Sequence, residues 1–306
     1  MSVLKDTFSD IFPDDRMTEN EPMSRHTSFR IGGPADLFIV PGTEDELAEG
    51  IRRCRGQDIP YIVLGAGSNV LVGDRGIRGA VFCIDHPMDD VIITEHDGRF
   101  TVTAGAGISM MKLASVFMVK GIAGFEFASG IPGRLGGGLF MNAGAYGGEL
   151  KDIVVSARVL DTDGNIITRT KEELELSYRH SIIQENGDIV LSVTMELEAG
   201  DPAEIKAKMD DLKQRRVEKQ PVEYPSAGST FKRPEGYFAG KLISDSGLKG
   251  MRIGGAEVSE KHAGFIINTG GATAADVAAL IKAVQDRVFE DSGVMLTPEV
   301  RFIGEF

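Results

Sequence analysis

YIVLGAGSNVLVGDRGIRG, residues 61–79, runs an apolar strand straight into a glycine-rich turn. A second stretch, SGIPGRLGGGLFMNAGAYGG at 129–148, holds eight glycines, at 130, 133, 136, 137, 138, 144, 147 and 148. Residues 64–79 hold five more, at 65, 67, 73, 76 and 79. Glycine makes up 38 of the 306 residues, about 12% where roughly 7% is ordinary. Such density costs conformational entropy on folding, so a compensating gain is required. A ligand that lies against bare backbone supplies one, because successive N–H groups in turn conformations form an anion-binding concavity suited to a diphosphate. Tight turns between packed elements are the competing reading. Neither stretch is a P-loop, since GxxxxGK[ST] is absent, and neither is the Rossmann fingerprint, since Ser68, Asn69 and Val70 follow Gly65-Ala66-Gly67 without a third glycine in register. A nucleotide held here requires another fold, and both stretches read as loops.

Outward from these loops the chain changes texture twice. Leu37 to Val40 is a short apolar strand, and Thr43 with Glu46 forms a helix-start signature ahead of Leu47 and Ile51. With strands at 61–64 and 80–84 this part has βαβ character. From about residue 90, strands flank the turn signals Asp97-Gly98 and Asp163-Gly164, which predicts antiparallel hairpins. Ser109 caps a predicted helix with Met110, Leu113, Ala114 and Phe117 on one face, and 189–197 is a further strand. Gly200-Asp201-Pro202 breaks the pattern. A polar helix follows over about 203–219, and another starts at Thr273 with Val277, Leu280, Ile281, Val284 and Val288 at amphipathic spacing. A domain boundary is expected near residue 200.

The composition excludes several functions. A formal charge of −13 argues against a nucleic-acid partner, which demands cations for phosphate neutralisation. No apolar run approaches the roughly 18 residues of a membrane span, and MSVLKDTFSD lacks the features of a signal peptide; a cytoplasmic location is expected. Cys54 and Cys83 are too few for a disulfide framework or a zinc site and read as reduced core thiols. The five histidines, at 26, 86, 96, 180 and 262, show no metal spacing, so no metal is expected. Oligomeric state has no signature in the sequence.

Taken together, YIVLGAGSNVLVGDRGIRG and GFEFASGIPGRLGGGLFMNAGAYGGE resemble the UDP-N-acetylenolpyruvoylglucosamine reductases, also called UDP-N-acetylmuramate dehydrogenases. The resemblance continues through SFRIGGPADLF (28–38), LSYRHS (176–181), YPSAGSTFKRP (224–234), AGKLISDSGLKG (239–250) and TPEVRFIG (297–304), nearly the whole chain in the family's order. The short connection from Arg179 to Pro221 is similar to the family's shorter type, without an inserted substrate-covering loop. Arg134 departs from the small polar residue the family pattern implies there. The resemblance implies an α+β fold: a two-subdomain FAD-binding region, similar to that of the PCMH and vanillyl-alcohol-oxidase flavoproteins, and a C-terminal α+β substrate domain. The segments would be 1–29, 30–85, 86–198 and 199–306, with FAD between the glycine stretches and the last of them.

The implied reaction belongs to peptidoglycan precursor synthesis. NADPH reduces non-covalently bound FAD, and the reduced flavin then reduces the enolpyruvyl double bond of the UDP-sugar to give UDP-N-acetylmuramate. Cofactor contacts would come from Gly65, Ala66, Gly67, Ser68, Asn69 and Leu71 in the first stretch. In the second they would come from Gly130, Ile131, Pro132, Gly133, Gly136 and Gly137, then Asn142, Ala143 and Gly144. Hydride delivery to an alkene conjugated with a carboxylate builds negative charge, so a charge stabiliser and a proton donor are needed. Arg179 in Ser-Tyr-Arg-His matches the family's cationic residue, and a planar guanidinium suits a carboxylate becoming an enediolate. Ser229 in Ala-Gly-Ser-Thr-Phe matches the proton donor, and Glu299 in Thr-Pro-Glu-Val-Arg matches the residue facing the substrate carboxylate, where burial would favour its protonated form. Tyr178, Lys232, Arg233 and Lys241 are the substrate-binding candidates, with Lys249 a further cation for the diphosphates.

Two other readings compete. A flavin oxidase or dehydrogenase acting on a hydroxy acid or sugar would keep the glycine stretches, and so would a catalytically silent flavin- or nucleotide-sugar-binding protein. The joint presence of Arg179, Ser229 and Glu299 favours the reductase.

Overall fold

The computed structural model describes residues 3–306. They form two compact units, each assembled from separated segments: 3–18, 38–66 and 80–215 in the first, and 19–37, 67–79 and 216–306 in the second. Both are mixtures of helix and strand.

In the first unit, strand Tyr61–Leu64 runs parallel to Ala80–Cys83, with Tyr61 opposite Ala80 and Leu64 opposite Cys83. Thr43 caps helix Glu44–Gly56 by accepting from the Glu46 N–H, as the sequence signature requires. That helix buries Leu47, Ala48, Ile51 and Cys54, while Phe8, Phe12 and Phe82 close the same core with ring centroids 6.0–6.3 Å apart. The larger sheet is antiparallel, in the order Ile166–Thr170, Val154–Leu160, Ile189–Ala199, Arg99–Gly105, Val91–His96. Its Asp97-Gly98 turn holds both residues at positive φ, 48° and 76°, the backbone hand that matches strand twist. Helix Met110–Lys120, capped by Ser109, buries Met110, Leu113, Ala114 and Phe117. Cys54 and Cys83 are buried and free, and burial pushes each thiol up to about 12.

The second unit has its own apolar core around the long helix Ala274–Ser292, which contributes Val277, Leu280, Ile281, Val284 and Val288. Each such side chain, fully buried, stabilises by about 2 kcal/mol. Short antiparallel strands Arg252–Ile253, Ala256–Val258 and Ile266–Asn268 lie in one sheet. Strand Arg301–Ile303 pairs in parallel with Val70–Val72, more than two hundred residues earlier.

Asp74, from the first glycine stretch, caps the long helix. Its carboxylate accepts from the Ala274 N–H at 2.7 Å and the Ala275 N–H at 3.0 Å, in addition to the Thr273–Asp276 capping box. Two helix-end donors are thereby satisfied, and a negative charge sits at the positive end of the macrodipole. Asp74→Ala is expected to cost about 1 kcal/mol, read as a drop in thermal midpoint; an unchanged midpoint would show that the capping box suffices alone.

Candidate active site

The second glycine stretch lies in the first unit and is not a single loop. Leu135–Phe140 is a helix, although glycine is a poor helix former. Its start is anchored, with the Leu135 and Gly136 N–H groups each donating at 2.9 Å to the carbonyls of Ile108 and Ala106. Those two donors are therefore already used. Gly136 has a packing reason as well, since an added Cβ would come within 2.8 Å of Ala106 Cβ. Gly137 has none: it is exposed, and a Cβ there would meet nothing within 4 Å.

Around this helix the Gly130–Gly133 turn is held by Ile131 N–H to Ala128 and by Met110 N–H to Gly133, while Pro132 is exposed. Arg134 pairs with Asp85, and its Cβ and Cγ lie 3.2 Å from where a Cβ on Gly65 would stand. The larger residue thus packs directly on the first stretch, whose Ala66 is exposed.

Arg179 belongs to the same unit. It occupies the third position of the turn Ser177–His180, closed by His180 N–H to Ser177 O at 3.1 Å. Its φ of 55° lies in the left-handed region that turns of this kind normally give to glycine or asparagine. An arginine held there costs about 1 kcal/mol or more, and such outliers gather at functional sites. The guanidinium donates to Gly144 O at 3.1 Å and lies 5.2 Å from the centre of the exposed Tyr178 ring. Asn142 is fully buried. Its amide donates to Glu149 Oε2 and Ser177 O, at 2.9 and 2.8 Å, and accepts from Lys151 N–H. Its side chain therefore joins the glycine stretch to the arginine turn. Ala143 N–H bonds Gly138 O at 2.8 Å.

In the second unit, Gly67 is buried with φ 60°, and a Cβ there would land on the His26 carbonyl oxygen. Gly67→Ala is expected to lower stability by about 3 kcal/mol, read as a drop in thermal midpoint; a wild-type midpoint would refute this. Ser68 and Asn69 follow, half-buried, and Leu71 is fully buried in the core. Asn69 donates through Nδ2 to Glu299 O at 3.2 Å and accepts from Arg301 N–H at 3.0 Å.

Ser229 and Glu299 lie on two extended segments that pair with each other. Phe231 and Pro298 form an antiparallel bridge, Glu299 N–H donates to Thr230 O, and Lys232 N–H to Thr297 O, both at 2.8 Å. Glu299 therefore stands opposite Thr230, the residue after Ser229. Thr230 is buried and doubly anchored, its N–H on Gly264 O and its hydroxyl accepting from Ile266 N–H. Ser229 is exposed and Glu299 half-buried. Of the cations, Lys232 is half-buried, and Arg233 stacks 3.9 Å from the Phe238 ring centre. Exposed Lys241 pairs with Asp245 at 2.7 Å, and Lys249 is exposed.

Sequence reasoning did not single out Asp74 or Thr230. Their roles depend on backbone groups distant in the chain, which no local pattern announces. Among the described residues no group of three or more His, Cys, Asp or Glu could hold a metal ion, and no helix is long and apolar enough to cross a membrane.

Open space over Gly137, where no protein atom calls for glycine, fits a ligand lying on bare backbone. Residues 35–170 match the FAD binding domain family, so the class is that of FAD-dependent oxidoreductases. Residues 220–303 match the family described as the C-terminal domain of UDP-N-acetylenolpyruvoylglucosamine reductase. The chain belongs to the UDP-N-acetylenolpyruvoylglucosamine reductase family. It is 52% identical over 304 residues to the reductase of that name from Lachnoclostridium phytofermentans, covering 99% of this chain and 98% of the relative. It is 53% identical over 303 residues to that of Caldanaerobacter subterraneus subsp. tengcongensis, covering 99% of each. The crystal structure of the Thermus caldophilus reductase superposes with a TM-score of 0.79 at 34% identity, over 94% of this chain and 99% of that one.

Proposed function

We propose that this chain reduces the enolpyruvyl group of UDP-N-acetylenolpyruvoylglucosamine to UDP-N-acetylmuramate, with NADPH as reductant, in the cytoplasmic stage of peptidoglycan precursor synthesis. The observation that carries this reading is full-length similarity, at 52–53% identity, to reductases named for that substrate. Residues of the two glycine stretches, 64–79 and 129–148, would hold FAD, which would supply hydride transfer between NADPH and the substrate alkene.

The chain's own residues supply the rest. Arg179 offers a guanidinium to the substrate carboxylate as negative charge builds there, and its strained turn fixes where that charge is met. Ser229 gives the proton that completes reduction; its exposure leaves the hydroxyl accessible, and the anchored Thr230 peptide keeps it in place. Glu299, on the segment paired with Thr230, donates a hydrogen bond from its carboxyl O–H to the substrate carboxylate. Lys232, Arg233 and Lys241 attract the diphosphates against a net charge of −13.

Single-turnover measurements on the FAD-loaded protein test the reading. NADPH should bleach the flavin, and the UDP-enolpyruvoyl sugar should restore its colour under anaerobic conditions. A yellow protein whose colour this substrate fails to restore would favour a related flavin oxidase, and a protein that binds no FAD would sink both.

A further inference from the structure

We infer that Gln184 is a positioning residue for Arg179, holding the arginine's own peptide against the second glycine stretch. This rests on the reading of Arg179 given above and extends it to a residue that contributes no group to the substrate.

One side-chain amide makes the connection. Gln184 Nε2 donates to Phe140 O at 2.7 Å and to Arg179 O at 3.2 Å, and lies 3.9 Å from Met141 Sδ. Phe140 ends the short glycine-rich helix, so its carbonyl marks where that stretch turns toward Asn142 and Gly144. The two hydrogens of the amide thus join the arginine peptide to the stretch that carries Gly137. Ser181 repeats the attachment through its hydroxyl, also to Phe140 O at 2.7 Å.

The need for such a tie follows from the backbone. Arg179 at φ 55° is in a conformation that an unconstrained arginine leaves readily, because its Cβ crowds the following carbonyl. Relaxation to negative φ would rotate the peptide plane and swing the guanidinium away from Gly144 O. Two features of the turn oppose that rotation from outside the arginine: Asn142 grips the Ser177 carbonyl at its start, and Gln184 grips the Arg179 carbonyl itself. The Gln184 bond acts on the residue whose torsion is strained. A group that acts by aiming another should affect the step in which that other group works, and no step before it.

Gln184→Met keeps the side-chain volume and removes both donors. In anaerobic stopped-flow of the FAD-loaded enzyme, reduction by NADPH should stay within twofold of wild type. Reoxidation by the UDP-enolpyruvoyl sugar should fall about tenfold to a hundredfold, mostly in the saturating rate. Gln184→Ala, which shares only the loss of the donor, should give the same split. In an Arg179→Gly background Gln184→Met should add nothing, because no guanidinium is left to aim. Wild-type reoxidation in Gln184→Met, with Arg179→Gly slow, would overturn the positioning role and leave the Arg179 reading intact. Fast reoxidation in Arg179→Gly would overturn that reading and this inference with it. Equal slowing of both half-reactions, with a lowered thermal midpoint, would reduce Gln184 to a structural tie and also overturn it.

Discussion

Ser229→Ala is expected to slow reoxidation of the reduced flavin by the UDP-enolpyruvoyl sugar by on the order of 10² or more, while reduction by NADPH proceeds almost unchanged. The asymmetry arises because only the second half-reaction needs a proton placed on carbon. The substitution should be structurally silent. Ser229 is exposed, and the rigidity of its segment comes from Thr230, whose N–H, hydroxyl and carbonyl are bonded to Gly264, Ile266 and Glu299. None of these bonds involves the Ser229 hydroxyl. Stopped-flow on both half-reactions, with a thermal midpoint as control, reads the outcome. Equal loss in the two half-reactions would count against a proton-donor role.

Arg179→Gly should separate activity from stability in the opposite sense. Reoxidation by the UDP-sugar should drop by about 10²–10³, the usual cost of losing a group aimed at developing charge. The thermal midpoint should hold or rise, because glycine adopts φ 55° without the penalty of about 1 kcal/mol that arginine pays there. The lost bond to Gly144 O offsets part of that gain. Arg179→Lys should recover little, since an ammonium cannot make the bidentate contact of a planar fork. A midpoint several degrees lower in Arg179→Gly would mean that the arginine is there for the fold.

Much of the architecture was legible because its signals are local. Thr43, Ser109 and Thr273 each begin a helix where the sequence puts one, at Glu44, Met110 and Ala274. The Asp97-Gly98 and Asp163-Gly164 turns each separate paired antiparallel strands. The three-glycine run at 136–138 was read as loop and is helix, and the cause is not propensity. The carbonyls of Ile108 and Ala106 hold its first N–H groups, and both stand some thirty residues earlier. The parallel pair of Val70–Val72 with Arg301–Ile303 was equally out of reach, since neither strand carries any mark of its partner.

The glycine excess therefore has more than one cause. In the sequence it was a single compositional oddity concentrated in two stretches. In the structure Gly136 is glycine because Ala106 is close, Gly67 because of its φ and the His26 carbonyl, Gly147 because of its φ of 90°, and Gly137, with neither cause, faces open space. Composition and turn chemistry by themselves determined the helix starts, the hairpins and the two glycine-rich stretches. The fold class, the flavin cofactor and the residues to watch followed from the resemblance of the ordered motifs to the reductase family. Tertiary structure alone decided that Glu299 stands opposite Thr230 beside Ser229, that Arg179 is held in a left-handed turn, and that Gln184 and Asn142 secure that turn. The reason is physical: a cap or a hairpin is written within a few residues, whereas which distant carbonyl a side chain meets is set by how the whole core packs.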